Sequence, residues 1–267
     1  MKLIDFLFKR STLGMCDSRS EATVMKEHNF TLMGDFDERD IFVCGWPKSG
    51  NTWCQRLFSG VVWGLDTNVL TDQLAQFLQP DVHYKTHYYR FVTPTLFKSH
   101  LPPQPEYHRV IFLVRDGRDA LVSYWRMLRK DNPQLKLEDL FHQGDSLFPC
   151  AWETHARAWL ANPFGAEVVT LRYEDLLTRA KEELRRVAEF IGSVRTDAEL
   201  QHIAAGSEID KMRRVAEVHG WDNRGSKRSD TFLGPGRPGS FRQEMSSDLQ
   251  EAFLQRAGDM LERFGYV

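Results

Sequence analysis

GWPKSGNTW, Gly45 to Trp53, is the stretch on which the reading of this chain turns. It comes close to the phosphate-binding pattern G-x-x-x-x-G-K-[ST]. Gly45, Gly50 and Thr52 stand where that pattern needs them, but Asn51 holds the lysine position and a lysine stands three residues earlier, at Lys48. The run before it, DIFVCG from Asp40 to Gly45, is short, apolar and ends in glycine. It reads as a buried parallel strand feeding a loop and a helix. In a strand–loop–helix, the loop amides and the helix N-terminus together make a site for an anion. In a nucleoside-triphosphate loop, the lysine beside the second glycine reaches the terminal phosphates. A lysine at the loop apex projects its charge to a different point. G-x-x-x-x-G alone is often an ordinary turn, whereas Pro47-Lys48-Ser49-Gly50 followed by Thr52-Trp53 after an apolar strand is far more specific.

Two further runs read as strands: RVIFLVRD (Arg109–Asp116) and AEVVTLRY (Ala166–Tyr173). The segments after them carry helical spacing. Leu121, Val122, Trp125 and Leu128 share one face, and Leu184, Val187, Ala188 and Ile191 another, with Thr178 as N-cap and Gly192 as stop. Thr196-x-x-Glu199 has the form of a capping box. A last helix is expected from about Ser247 to Phe264. Strands alternating with helices predict an α/β fold: a single domain over residues 40–267, a parallel central sheet flanked by helices, resembling P-loop nucleotide kinases. Residues 1–39 read as an irregular polar segment, and no internal repeat is present. WDNRGSKRSDTFLGPGRPGSFR, residues 221–242, is rich in Gly, Pro, Ser and basic residues. It is read as a lid loop over a ligand rather than a linker, because the chain beyond it is helical.

The 267 residues suit one large α/β domain. Hydrophobic residues make up 42% and charged residues 27%, a globular balance, and a net charge of −2 points to neither a nucleic-acid nor a membrane partner. Cys16, Cys44, Cys54 and Cys150 show no C-x-x-C pair and no zinc spacing, so free thiols in a reducing compartment are expected. The apolar run in MKLIDFLFKR is short and interrupted by Asp5, unlike a signal peptide. A cytoplasmic protein is the expectation.

The second strand separates two kinds of chemistry. Magnesium-dependent phosphoryl transferases often end a nearby apolar strand in an aspartate that supports the metal. RVIFLV ends instead in Arg115, with Asp116 only after it. A guanidinium at a strand end suits a bidentate anion; a carboxylate such as Asp119 is an equally suitable partner. Ser123, two turns into the next helix, either adds a hydroxyl to the same anion or is a small residue at a helix contact. A site without metal ligands suits a group carrying less charge than a phosphoryl, such as a sulfuryl.

At this point the chain resembles a family: the sulfotransferases that use 3′-phosphoadenosine 5′-phosphosulfate (PAPS). GWPKSGNTW is similar to that family's 5′-phosphosulfate loop, LFKSHLP (Leu96–Pro102) to its lysine-x-histidine-leucine-proline catalytic segment, RVIFLVRDGRDALVSYW (Arg109–Trp125) to the strand and helix that hold the 3′-phosphate, and LRYEDLL (Leu171–Leu177) to a further block. The resemblance implies that Lys48, Ser49, Gly50, Asn51, Thr52 and Trp53 bind the 5′-phosphosulfate and the adenine side. It implies that Arg115 and Ser123 bind the 3′-phosphate, that Tyr173 contacts adenine, and that Ser207 and Ile209 touch the nucleotide. His100 would be the general base on the acceptor hydroxyl, with Lys98 and Lys48 stabilising the reacting sulfuryl group. PAPS would be the co-substrate, adenosine 3′,5′-bisphosphate the product, and a small-molecule or carbohydrate alcohol the acceptor, with no metal.

His87, in HYKTHYYR (His83–Arg90), also follows a lysine-threonine pair, but Ser99-His100-Leu101-Pro102 just before the Arg115 strand favours His100. The aromatics of residues 76–97 and of FHQGDSLFPCAW (Phe141–Trp152) are candidate acceptor walls, most of them better read as core. The chain departs from the family at its C-terminal 3′-phosphate clamp. Gly234, Pro235 and Gly236 fall where an arginine-lysine-glycine cluster is expected, and Phe241 replaces a tryptophan. Gly236 and Arg237, with Arg242 or Lys227 and Arg228 nearby, are the candidates to serve there. The run Arg242, Ser246, Ser247, Glu251 matches the family's dimer motif poorly, so no dimer of that type is implied. Two alternatives remain beside this reading: a P-loop small-molecule kinase, and a non-catalytic nucleotide-binding relative.

Overall fold

The computed structural model describes residues 28–219 and 237–267. In chain order these form β1 (Phe30–Leu32), β2 (Ile41–Gly45), α1 (Asn51–Trp63), α2 (Asp72–Leu78), β3 (His87–Tyr89), β4 (Leu96–Ser99) and β5 (Arg109–Val114). There follow α3 (Gly117–Leu128), α4 (Leu137–His142), α5 (Trp152–Ala161), β6 (Glu167–Arg172), α6 (Tyr173–Thr178), α7 (Ala180–Ile191), α8 (Asp197–Gly206) and α9 (Ile209–His219). After the second undescribed stretch come α10 (Phe241–Glu244) and α11 (Ser247–Arg263).

The central sheet is parallel, in the order β4-β2-β5-β6. Side chains alternate across a strand, and here both faces are apolar. Phe42, Val110 and Phe112 turn to one face, packed with Trp152, Trp159 and Phe253; Ile41, Val43, Ile111 and Leu113 turn to the other, packed with Leu57, Phe58, Leu184 and Ile203. Helices therefore cover both sides, as the alternating pattern predicts. Burying one such large apolar side chain contributes about 1.5–3 kcal/mol.

Four local expectations are corrected. The third strand, β6, lies at the sheet edge and only Leu171 in it is fully buried, because a single neighbour, β5, covers it. Residues 30–32, inside the segment read as irregular, form a strand that pairs antiparallel with β3. Thr178 does not cap the following helix. Its hydroxyl donates to Glu174 O at 3.1 Å within α6, and Arg179 takes the N-cap position of α7. The Thr196–Glu199 capping box is present with both reciprocal bonds. Of the expected lid, residues 221–236 lie outside the described residues; its last residues are not irregular, since Phe241 and Arg242 begin α10.

Parallel order places the C-terminal ends of β2, β4 and β5 side by side. The loop 45–50, the Lys98–His100 segment and Arg115 consequently share one edge of the sheet, where open α/β sheets bind ligands.

Candidate active site

The loop is built by its backbone. Gly50 has φ +105°, and a Cβ there would meet the Tyr173 ring at 2.7 Å, so only glycine fits. At Gly45 a Cβ would lie 2.9 Å from both Asn51 Oδ1 and Leu113 O. Lys48 at the apex also adopts a left-handed conformation, φ 69°. A lysine held there is strained, and such strain persists where the surrounding structure fixes it. No acidic residue stands in the first turn of α1, so the amides and positive dipole end of that helix are offered to an anion.

Around the loop the structure gathers most of the expected donor-binding residues. Arg115 donates from Nη1 to Lys48 O at 3.1 Å and lies 4.6 Å over the Tyr173 ring. Tyr173 meets Trp53 edge-on at 5.4 Å, and Trp53 Nε1 donates to Ser207 O at 2.8 Å. Lys48, Ser49, Gly50, Asn51, Thr52, Trp53, Arg115, Tyr173 and Ser207 thus belong to one surface. Four buried polar atoms on it have no hydrogen-bond partner among the described residues: Ser49 Oγ, Asn51 Oδ1, Ser207 Oγ and Arg115 Nε. Native proteins satisfy nearly all such atoms, which fits a surface that takes a polar ligand. Burial, with Lys98, Arg115 and Lys130 nearby, lowers the Lys48 ammonium to about 7.

The strand-tip side is internally paired. His100 sits just beyond β4, half-buried, and its Nδ1 lies 2.6 Å from Gly45 O. A carbonyl only accepts, so Nδ1 carries the proton and Nε2 keeps the lone pair. Burial first, and Lys98 second, hold the imidazole down to about 3, so it is neutral at neutral pH. Lys98 forms an ion pair with Asp81 at 3.0 Å, both side chains largely buried. Burial pushes the Asp81 carboxyl up, but Lys98, the His83 amide and His100 outweigh it and hold the carboxyl below its ordinary range. Asn51 Nδ2 reaches Ser99 O at 3.4 Å and ties the loop to β4.

Ser123 is half-buried on α3, and Ile209 is half-buried at the start of α9. Arg237 is exposed, and Gly236, Lys227 and Arg228 lie outside the described residues. Arg242 is exposed, its guanidinium 4.7 Å over the Phe241 ring, with Arg118 over the same ring at 4.1 Å. His87 lies in the small antiparallel sheet beside Thr86. Asp119 is not the partner of Arg115. It accepts from the Gly239 amide at 2.6 Å, Ser240 Oγ at 2.9 Å and the Phe241 amide at 2.9 Å, fastening the far end of the expected lid beside the Arg115 strand end. Asp116 pairs with Arg118 at 2.7 Å, and Tyr266 donates to Glu174 at 2.9 Å. Sequence reasoning passed over Asp81, His83 and this role of Asp119. Each acts through a partner distant in sequence, and no local spacing signals it.

The two candidate acceptor walls meet at one point: His83 contacts Phe148 edge-on, ring centroids 5.1 Å apart. Tyr88, Phe97, Phe141 and Trp152 are core, but Phe77, Tyr84, Phe91 and Phe148 are exposed, so fewer of these aromatics are core than the sequence suggested. No group of three or more His, Cys, Asp or Glu suited to a metal ion occurs among the described residues. No described helix is long and apolar enough to cross a membrane.

A parallel sheet with an anion loop at one strand tip and a Lys-x-His segment at the next defines a class of fold built to receive an anionic group. Within it, this chain belongs to the sulfotransferase domain family, whose pattern matches residues 38–265. It is 28% identical over 172 residues to the 3-alpha-hydroxysteroid sulfotransferase of Cavia porcellus, a match over 58% of this chain and 59% of that relative, so less than two thirds of the relative's length is spanned. It is 22% identical over 258 residues to the amine sulfotransferase of Oryctolagus cuniculus, over 87% of this chain and 85% of the relative. Among solved structures, a retinol dehydratase in complex with androsterone and the inactive cofactor PAP superposes with TM-score 0.66 at 18% identity, over 85% of this chain and 81% of that one. Mouse sulfotransferase SULT7A1 complexed with PAP gives 0.60 at 20%, over 84% and 85%. At these identities the structural likeness is one of fold.

Proposed function

We propose that this chain is a PAPS-dependent sulfotransferase that moves the sulfuryl group to a hydroxyl of a small-molecule or carbohydrate acceptor in the cytoplasm. The reading rests on one observation above others: His100 is hydrogen-bonded through Nδ1 to Gly45, the first residue of the anion loop. On this reading, the lone-pair-bearing Nε2 serves at the mouth of the loop, where the transferring group would lie.

The chemistry then divides among named residues. The loop amides, Lys48, Ser49 and Thr52 hold the 5′-phosphosulfate; Arg115 and Ser123 hold the 3′-phosphate; Trp53, Tyr173, Ser207 and Ile209 hold the nucleoside. Gly236 and Arg237 take the place of the family's basic clamp. The acceptor oxygen attacks sulfur in line, a new O–S bond forms, and its proton passes to His100 Nε2. The bond from sulfur to the bridging phosphate oxygen breaks, and that oxygen keeps the electron pair. Lys48 and Lys98 stabilise the charge developing there, more in the transition state than in the ground state. The anionic donor opposes the effect of Lys98 on His100 and makes the imidazole a better base in the loaded enzyme than in the empty one. Positioning supplies the remaining acceleration.

The test is transfer of label from PAPS to a panel of phenols, steroid and other aliphatic alcohols, and sugars, by the protein and by its His100→Ala variant. Labelled sulfate ester from the first and little from the second supports the proposal. Turnover unchanged in His100→Ala, or phosphate transferred from magnesium–ATP in place of sulfate, overturns it.

A further inference from the structure

Residues 80–83 run along the outer edge of β4, beside two of the residues proposed to act on the sulfuryl group. The Lys98 amide donates to Pro80 O at 3.0 Å, and the Val82 amide donates to Lys98 O at 3.1 Å. Asp81 pairs with Lys98 through its side chain and accepts the His83 amide at 2.9 Å. His83 then reaches past the end of the strand. Its ring lies nearly parallel to that of His100, centroids 5.7 Å apart and planes inclined by 12°, and its Nε2 accepts the His100 backbone N–H at 2.9 Å.

That last bond has a physical cause. The His100 amide falls one residue beyond β4, where the ladder that satisfies Val43 to Cys44 against Lys98 to Ser99 has ended. A half-buried amide there needs an acceptor from elsewhere, and His83 supplies it. His100 is therefore fixed at two points. The bond from Nδ1 to Gly45 sets the ring, and the bond from the amide to His83 sets the backbone that carries the ring. With only the first, the imidazole could pivot about Gly45.

We propose that His83 is a positioning residue for the transfer step: as a neutral ring it holds the His100 backbone and so aims His100 Nε2 at the acceptor hydroxyl. This rests on the reading of His100 as the base. A ring nitrogen that accepts from an amide must be unprotonated, so the proton of His83 sits on Nδ1; a second proton would set N–H against N–H and break the tether. Burial lowers the His83 pKa, Asp81 opposes that effect and Lys98 adds to it, with the net shift downward. Asp81, Lys98 and His100 are the charged or titratable groups that face the ring in this arrangement, with Tyr84 at 6.2 Å. The accepting form is thereby kept at neutral pH. A misplacement of about 1 Å in a reacting group can lower the rate about 100-fold, so a tether of this kind acts on turnover and leaves donor binding alone.

The test uses the full chain and two substitutions. His83→Phe keeps a flat ring against His100 but removes the acceptor; His83→Gln places an amide oxygen near the position of Nε2. His83→Phe is expected to lower kcat about 10–100-fold with KM for PAPS and affinity for adenosine 3′,5′-bisphosphate unchanged, and His83→Gln to restore most of the lost turnover. Wild-type kcat in His83→Phe, or an equal loss in both variants, overturns the proposal. Nitrogen-15 NMR of the histidines in the unsubstituted protein reads the same point without any variant: a neutral His83 with a hydrogen-bonded lone pair at Nε2 supports it, and the opposite tautomer or a charged ring overturns it. His100→Ala is assayed alongside. Turnover retained there brings down the reading of His100 itself, whereas turnover lost there with His83→Phe at the full rate brings down only the role of His83.

Discussion

On the loop side of the site, Ser49 Oγ, Asn51 Oδ1, Ser207 Oγ and Arg115 Nε are buried without a hydrogen-bond partner among the described residues. On the strand-tip side, Lys98 pairs with Asp81, His83 with the His100 amide, and His100 with Gly45. The two sides lie at the ends of adjacent strands and are tied together by Asn51, yet their polar atoms are handled in opposite ways. An orphaned buried donor or acceptor costs about 1–3 kcal/mol. The loop side bears that cost in the empty protein; on the proposed reading, an anion with many acceptor oxygens relieves its donors, the Ser49 and Ser207 hydroxyls and Arg115 Nε. The strand-tip side is mostly paired before anything binds, which on the proposed reading holds one nitrogen and one ammonium in fixed places. Orphans mark where a ligand supplies the partner; closed pairs mark where geometry is stored for chemistry.

Substitutions on the two sides should accordingly separate binding from turnover. The largest effect is expected at His100. His100→Ala lowers kcat by about 10²–10⁴-fold, while calorimetric affinity for adenosine 3′,5′-bisphosphate is unchanged. Equal losses in both quantities would erase the distinction between the two sides.

Next comes Arg115→Ala. Loss of a charged hydrogen-bonding partner weakens the bisphosphate by about 1.5–3 kcal/mol, with kcat at saturating PAPS much less affected. The measurement is a titration of the variant beside steady-state kinetics at several PAPS concentrations.

The pH dependence follows in size. Lys48 is lowered to about 7 by burial, Lys98, Arg115 and Lys130. Below pH 7 its ammonium is ready for an anion; above it, binding must first recover a proton, and affinity falls by up to about tenfold per pH unit. The unfolded lysine keeps its proton to 10.5, so rising pH from 7 toward that value favours the folded empty protein even as it weakens donor binding. Denaturation and titration followed over the same pH range should move in opposite directions, and Lys48→Met should flatten both.

The smallest effect is expected at Ser207. Ser207→Ala removes an orphan, so it raises the stability of the empty protein, by up to about 1–3 kcal/mol, and weakens the bisphosphate by about 0.5–1.5 kcal/mol. A loss of stability with unchanged affinity would show that this hydroxyl serves the fold instead of the ligand.

The sequence carries the loop side far better than the strand-tip side. GWPKSGNTW and RVIFLVRD are contiguous, and their spacing follows from the strand–loop–helix that folds them, so Lys48, Gly50 and Arg115 can be placed from residue order alone. The Thr196–Glu199 capping box is legible for the same reason: both of its bonds close within one turn. Asp81 and His83 are not legible. Their partners Lys98 and His100 lie 17 residues away in each case and are reached by an added pairing along the strand edge that no periodicity announces. In HYKTHYYR the local wording draws attention to His87, which the fold places in a separate small sheet, and passes over His83 at the start of the same run. Asp119, one of two alternative kinds of partner weighed for Arg115, instead fastens Gly239 to Phe241 across 120 to 122 residues. Strand AEVVTLRY shows a related limit. Its apolar run looks like its neighbours, and only the sheet order reveals that it stands at an edge.

The central claim is that the loop side waits for a 3′-phosphorylated, sulfonated adenylate. Its most direct test is isothermal titration of the empty protein with adenosine 3′,5′-bisphosphate at pH 6.5, with magnesium–ATP as competitor. The account predicts saturable binding of one bisphosphate per chain that magnesium–ATP displaces poorly; no heat from the bisphosphate together with tight binding of magnesium–ATP would contradict it.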